Sequence, residues 1–242
     1  MEDKTYTEGI NIKPEGKFYK WFDNYWYHYK WITLGAIFVV VMLVICTLQM
    51  CEREQEDTTI LYAGPCQLSA SEMESIKGVI NAVMPEDFDG DGQKYTGMVE
   101  YLLYSESQIK DIEASTDQYG VAVDVNNQYI TNNYENYYDY LLSGESAICF
   151  LDPHLYTELK RSGRLLPLVS ALGEDSGYKP DDYGLVLGKT EIYEEYSALR
   201  ALPEDTVVCI MRQIVAGRIS NDKVYENELA LFEAIVMFSK DE

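Results

Sequence analysis

The clearest chemical pattern in the chain is a short acidic run, Asp87-Phe88-Asp89-Gly90-Asp91-Gly92. Carboxylates at alternate positions can converge on one cation, as in calcium loops that open D-x-D-x-D-G, and Gly92 permits the sharp turn such a loop makes. The Gln93 carbonyl would supply the next oxygen. The pattern predicts a Ca2+ site on Asp87, Asp89, Asp91 and Gln93, with the ion pinning a turn between a helix and a strand. The twelfth position departs from it, because Met98 stands where a closing carboxylate belongs and Glu100 comes late. A solvated acidic turn is the alternative, and both readings stay open.

Groups suited to catalysis are sparse. Beyond residue 50 the chain holds one histidine, His154, and its neighbour Asp152 sits where a helix cap would. There is no G-x-S-x-G elbow, phosphate loop, dinucleotide fingerprint or H-E-x-x-H, and no two acids stand out as an acid/base couple. The cysteines offer neither C-x-x-C nor zinc spacing, and Cys149 and Cys209 fall in apolar runs where a thiol behaves as a small hydrophobe. The expectation is a protein that is not an enzyme.

The elements that position these groups hang from Trp31–Met50, WITLGAIFVVVMLVICTLQM, which carries no charge. Its length matches the ~20 apolar residues of a bilayer-spanning helix. Lys4, Lys13, Lys17, Lys20 and Lys30 precede it, and Arg53 is the nearest base after it. Basic residues near a span stay in the cytoplasm, so the C-terminal domain is expected outside the cell membrane. The long leader and full-length apolar core indicate an uncleaved signal anchor rather than a signal peptide. Met50 before Cys51 and Ile45 before Cys46 also spoil a lipobox.

The expected organisation is a cytoplasmic tail (1–30), a transmembrane anchor (31–50), a polar linker (51–58) and an extracytoplasmic domain (59–242). Residues 1–13 have the composition of a disordered segment. Aromatic residues from Phe18 to Trp31 suit the headgroup layer, and a cytoplasmic docking peptide is the alternative use. Five acids and five bases cancel in the first fifty residues, which leaves 36 acids against 14 bases in the rest. Such a surface repels nucleic acid and anionic headgroups.

Within the outer domain, strands are predicted at Thr59–Pro65, Tyr95–Tyr104, Ala147–Leu151, Tyr183–Leu187 and Thr206–Met211. The capping box Ser69-x-x-Glu72 opens a helix that Pro85 stops, with Met73, Ile76, Val79, Ile80 and Val83 on one face. Further helices are expected at Ser105–Ser115, Pro153–Arg161, Glu191–Leu199 and Asp222–Ser239, the last burying Tyr225, Leu229, Phe232, Ile235 and Val236. The segment 119–140 has six tyrosines and five asparagines. Its stripe Ile130, Tyr134, Tyr137, Tyr138, Leu141 and Leu142 is either core or a face that binds a peptide or glycan. Strands alternating with helices predict an α/β domain with a mixed or mostly parallel sheet flanked by helices.

Ser143-Gly144-Glu145-Ser146-Ala147-Ile148-Cys149-Phe150-Leu151, Leu155-Tyr156-x-x-Leu159 and Ser162-Gly163-Arg164-Leu165-Leu166-Pro167-Leu168 together resemble bacterial extracellular solute-binding proteins of the type 2 periplasmic kind. The tail, Phe22-x-x-Tyr25-Trp26-Tyr27-His28-Tyr29-Lys30-Trp31, looks like that of small single-pass bacterial membrane proteins. The resemblance implies a solute-binding-like fold whose second lobe is reduced to Tyr178–Leu202 or absent. It also implies a ligand, a small solute or peptide, at the carboxyl ends of the strands: Gly64, Pro65, Ser105, Asp152 and His154. The other expectation is a structural or assembly scaffold that contacts a membrane protein partner through segment 119–140, with no small ligand.

Overall fold

The computed structural model describes residues 16–51, 56–115 and 126–239, in two compact units, Met1–Glu54 and Gln55–Glu242. The first unit is one helix, α1 (Lys17–Cys51). Its stretch Trp21–Thr47 is long and apolar enough to cross a membrane, with a mean hydropathy of 2.2. The aromatic belt is part of the same helix, since no proline or glycine interrupts the sequence between Lys17 and Leu34. Rings one turn apart stack along it: Trp21 on Tyr25 at 5.7 Å, Phe22 on Trp26 at 5.9 Å and Tyr25 on Tyr29 at 5.4 Å. The expected disordered stretch, 1–13, lies outside the described residues, as do 52–55 of the linker and 119–125 of the tyrosine-rich segment.

The second unit runs β1 (Thr58–Gly64), α2 (Ala70–Val83), β2 (Thr96–Leu102), α3 (Glu106–Ala114), α4 (Asn127–Ser143), β3 (Ile148–Leu151), α5 (Pro153–Arg161) and α6 (Leu168–Leu172). It continues with β4 (Gly184–Val186), α7 (Glu191–Glu195), β5 (Val207–Ile210) and α8 (Asp222–Val236). The five strands form one mixed sheet in the order β2-β1-β3-β5-β4. β1 pairs parallel with β2 and β3, placing Tyr62 level with Glu100 and Phe150, whereas β5 runs antiparallel to β3 and β4. All seven residues of β1 are buried, as expected of a strand covered on both faces.

Side chains alternate across a strand, so each face can be followed by register. Tyr101 of β2 meets Tyr137 and Tyr140 of α4, at 6.1 and 5.9 Å between rings. Its neighbour Glu100 points to the other face, where its Oε1 accepts from Leu68 N on the approach to α2. α2 and α8 pack together over β1 and β2, and α4 and α5 cover the opposite face. Gly144, left-handed at φ 69°, caps α4, and a Cβ there would lie 2.4 Å from the Ala216 carbonyl. Only glycine allows that turn and that approach together.

Several expectations are corrected. The predicted helix Glu191–Leu199 breaks at Tyr196, which is extended (φ −101°, ψ 105°) and sets its ring at a tilt against Phe238, 5.6 Å between centroids; a 3-10 turn, Ser197–Ala201, follows. Residues 178–202 form no separate lobe, because they supply β4 and α7 to the same compact unit. The domain begins before the expected linker ends: Asp57 is buried and its N–H donates to the Tyr95 carbonyl. α8 stops at Val236; its buried stripe includes Glu228 and Leu231, whereas Leu229 and Val236, expected there, are only partly buried.

Glu228 is fully buried, with one oxygen accepting from Ala147 N at 2.5 Å and the other without a hydrogen-bond partner. Burial pushes its carboxyl up to about 7, against the downward pull of the Ala147 hydrogen bond and of Arg218. Folded protein therefore holds an extra proton between the ordinary glutamate range and pH ~7, and this contribution to stability is lost as pH rises through that window. Glu228→Gln keeps the carbonyl acceptor and removes the titration. We expect chemical denaturation to show the variant gaining on the wild type by up to ~3 kcal/mol as pH rises from the ordinary glutamate range to about 7, with no further gain above it. Parallel pH profiles for the two proteins would contradict this.

Candidate functional site

Two of the five strand-end residues, Ser105 and His154, line one crevice, and Asp152 lies behind it as the cap of α5. β2 ends at Leu102 and β3 at Leu151, on either side of β1, and both chains leave the sheet at the same edge. Leu103 N donates to the Gly64 carbonyl and Asp152 N to the Ala63 carbonyl, both at 2.9 Å, so the three exits are tied together. Ser105 then caps α3 in a capping box with Gln108, and Asp152 caps α5 by accepting from His154 N at 2.9 Å, with Pro153 in the first turn. A single side chain joins the two caps: Gln108 Nε2 donates to Asp152 Oδ2 at 3.2 Å. In doubly wound sheets such a point, where successive connections leave in opposite directions, is where ligands bind.

The crevice has a volume of about 500 Å3 and includes Tyr104, Ser105, Glu106, Tyr134, His154 and Glu158 in its wall. His154 Nε2 lies 3.5 Å from Glu158 Oε1, and Tyr138 Oη donates to Glu158 Oε2 at 3.0 Å. Tyr134 Oη donates to the Tyr104 carbonyl at 2.9 Å, which fixes one ring against the wall. Burial, followed by the nearby Glu158, pushes the Tyr134 phenol up to about 12, so it stays a neutral donor. Among the described residues no hydrogen bond joins His154 to a hydroxyl or thiol, and Ser105 Oγ is taken up by Gln108 N and Ser107.

Gly64 and Pro65 are at the same edge but do not line this crevice. Gly64 is buried, and a Cβ there would lie 2.9 Å from Tyr62 Oη, so it serves the packing of that ring. Glu158 was not singled out from sequence. Its signal is the spacing to His154, one helical turn on the same face of α5. Gln108 gave no signal beyond its place in a capping box.

The acidic run folds as a turn held by its own backbone. Asp87 accepts from Gly90 N at 2.7 Å and Gly92 N at 2.6 Å, Asp89 from Asp91 N at 2.9 Å, and Asp91 from Gln93 N at 2.8 Å. The Gly92 and Gly90 N–H groups hold the Asp87 carboxyl below the usual carboxylate range. Gly92 has φ 93°, as the turn requires. The carboxylates that converge are Asp57, Asp87 and Asp89, each with an oxygen within 4.8 Å of the others. Asp91 is outside that group, and Met98, the twelfth position, lies within β2.

Asp57 is the centre of the turn. Its Oδ1 accepts from Phe88 N at 2.8 Å and Asp89 N at 3.0 Å, and its Oδ2 from Tyr95 N at 2.8 Å. Nothing local in the sequence marks it, since its partners are more than thirty residues away.

A second hollow lies between α4 and α5. It holds about 310 Å3 over a floor that includes Tyr137, Leu141, Leu155 and Leu159, with Arg164 at its edge. Of the predicted stripe, Ile130, Tyr137 and Leu141 are core, whereas Tyr138 and Leu142 are exposed on the rim.

No known protein family, no curated protein and no solved structure matches this chain.

Asp57→Asn places an amide N–H2 where an acceptor of backbone N–H groups is needed. Urea unfolding is expected to show a loss of ~2 kcal/mol, of the size of a buried donor left unpaired. The loss should be the same with calcium or with EDTA. A wild-type midpoint that rises with calcium and a variant midpoint that does not would make the turn a metal site instead.

Proposed function

We propose that the chain is a membrane-anchored, extracytoplasmic binding domain that takes a small solute or peptide without chemical turnover, in the manner the solute-binding resemblance implies. The observation that carries this reading is the meeting of Ser105 and His154, from two separate strand-to-helix connections, in the wall of one crevice, with Gln108 and Asp152 joining the two caps behind it. Its size falls in the ~300–1,000 Å3 range of small-molecule sites. The apolar helix α1 supports anchoring, and the lysines before the span support an outward-facing domain.

A second reading has its own support. Tyr138 and Leu142 expose apolar surface beside the α4–α5 hollow, as a scaffold that docks a protein partner through α4 would. The two hollows share Glu158, so the residues that separate the readings are Ser105 and His154 on one side and Leu142 on the other.

Thermal unfolding of the full chain in detergent, across a panel of metabolites and short peptides, separates them. A ligand that binds only folded protein raises the midpoint. The expected outcome is a shift that His154→Ala abolishes and Leu142→Asp leaves intact. No shift with any compound, or a shift lost only in Leu142→Asp, would favour the scaffold.

A further inference from the structure

We propose that the strand-end crevice selects an organic cation, a free amine or the side chain of a basic peptide, held between the carboxylates of Glu106 and Glu158 and the rings of Tyr104 and Tyr134. This inference rests on the crevice being the binding site, and it adds the class of ligand.

Among the described residues the wall contains two glutamates and one histidine, His154, and neither lysine nor arginine. Two helix N-termini also point there, and by themselves they would draw an anion. Each is worth about +0.5 of a charge, and each is already capped, α3 by Ser105 and α5 by Asp152. Two full carboxylates outweigh two capped half-charges, with Asp152 adding a third negative group just behind. A net negative wall in a domain with 36 acids against 14 bases concentrates cations at its mouth.

The geometry prepares Glu158 for this role. His154 and Tyr138 hold its two oxygens from one side, so the carboxylate is oriented before a ligand arrives. Tyr134, pinned through its hydroxyl to the Tyr104 carbonyl, keeps its ring in the same wall. A cation against an aromatic face and a carboxylate gains from both, and an amine gains more than an ion without N–H donors or methyl groups. A sugar or a carboxylic acid gains from neither.

Isothermal titration calorimetry of the full chain in nonionic detergent tests this, with putrescine, choline, argininamide and Gly-Gly-Lys-Gly-Gly as probes and glucose and citrate as controls. One or more cations should bind, more weakly as salt is raised, with no heat from glucose or citrate. Glu158→Gln and, separately, the exposed Glu106→Gln should each lower affinity about tenfold. Glu106→Gln keeps the test valid if Glu158→Gln unfolds the protein. Free amines binding while the peptide does not would identify a metabolite, and the reverse a basic peptide; both support the cation. Glucose or citrate binding that His154→Ala removes, without cation binding, would overturn the cation and leave the crevice as a site. Cation binding that neither glutamate variant weakens would overturn it too. Silence from all six probes would remove both inferences.

Discussion

The structure depends on β1 being sandwiched in parallel between β2 and β3. A parallel neighbour cannot be reached by a tight turn, so each pairing forces a long connection across a face of the sheet. The β1-to-β2 connection carries α2, and the β2-to-β3 connection carries α3 and α4. Because β2 and β3 lie on opposite sides of β1, the connection leaving β1 through α2 and the one leaving β3 through α5 depart onto opposite faces at neighbouring carboxyl ends. The crevice is the consequence of that parting, and Gln108 bridges it by joining the caps of α3 and α5. The antiparallel half, β5 and β4, extends the sheet without adding a second such point.

The two ends of the strands are built differently. At the amino ends, charged groups are spent on backbone: the buried Asp57 on Phe88, Asp89 and Tyr95, the buried Glu228 on Ala147, and the half-buried Arg218 on the carbonyls of Glu56 and Asp57. Such groups are costly to leave unpaired, so they fix one arrangement of the loops. At the carboxyl ends the polar groups are half-buried, with room in front of them. Glu106, His154 and Glu158 keep access to solvent there. The first arrangement favours stability and the second leaves polar groups free to meet a ligand.

What the sequence revealed follows from how local each signal is. Caps and stripes were legible: Ser69 and Asp152 as N-caps, and Ile76, Val79 and Ile80 as a buried face, are determined within a turn or two of helix. Ser105 and His154 fall in one crevice because parallel strands place their exits together. Asp57 was not legible, because its partners lie across a long connection and its neighbours read as a linker. Glu228 was misread because the adjacent Leu229 offered an apolar residue for the same stripe, while the spacing Tyr225, Glu228, Phe232, Ile235 carries the buried face. In the acidic run the turn was legible, whereas its cluster of three carboxylates was not, because Asp57, distant in sequence, stands in it where Asp91 was expected.

The account stands most directly on where a ligand touches the domain. Hydrogen–deuterium exchange of the full chain, with and without the compound that stabilises it most, reads this segment by segment. The account predicts slower exchange in 103–109 and 152–158, the two capped helix starts, with the α4 rim around 138–142 unchanged. Protection confined to 138–142 and 159–164 would place the ligand between α4 and α5 and contradict it.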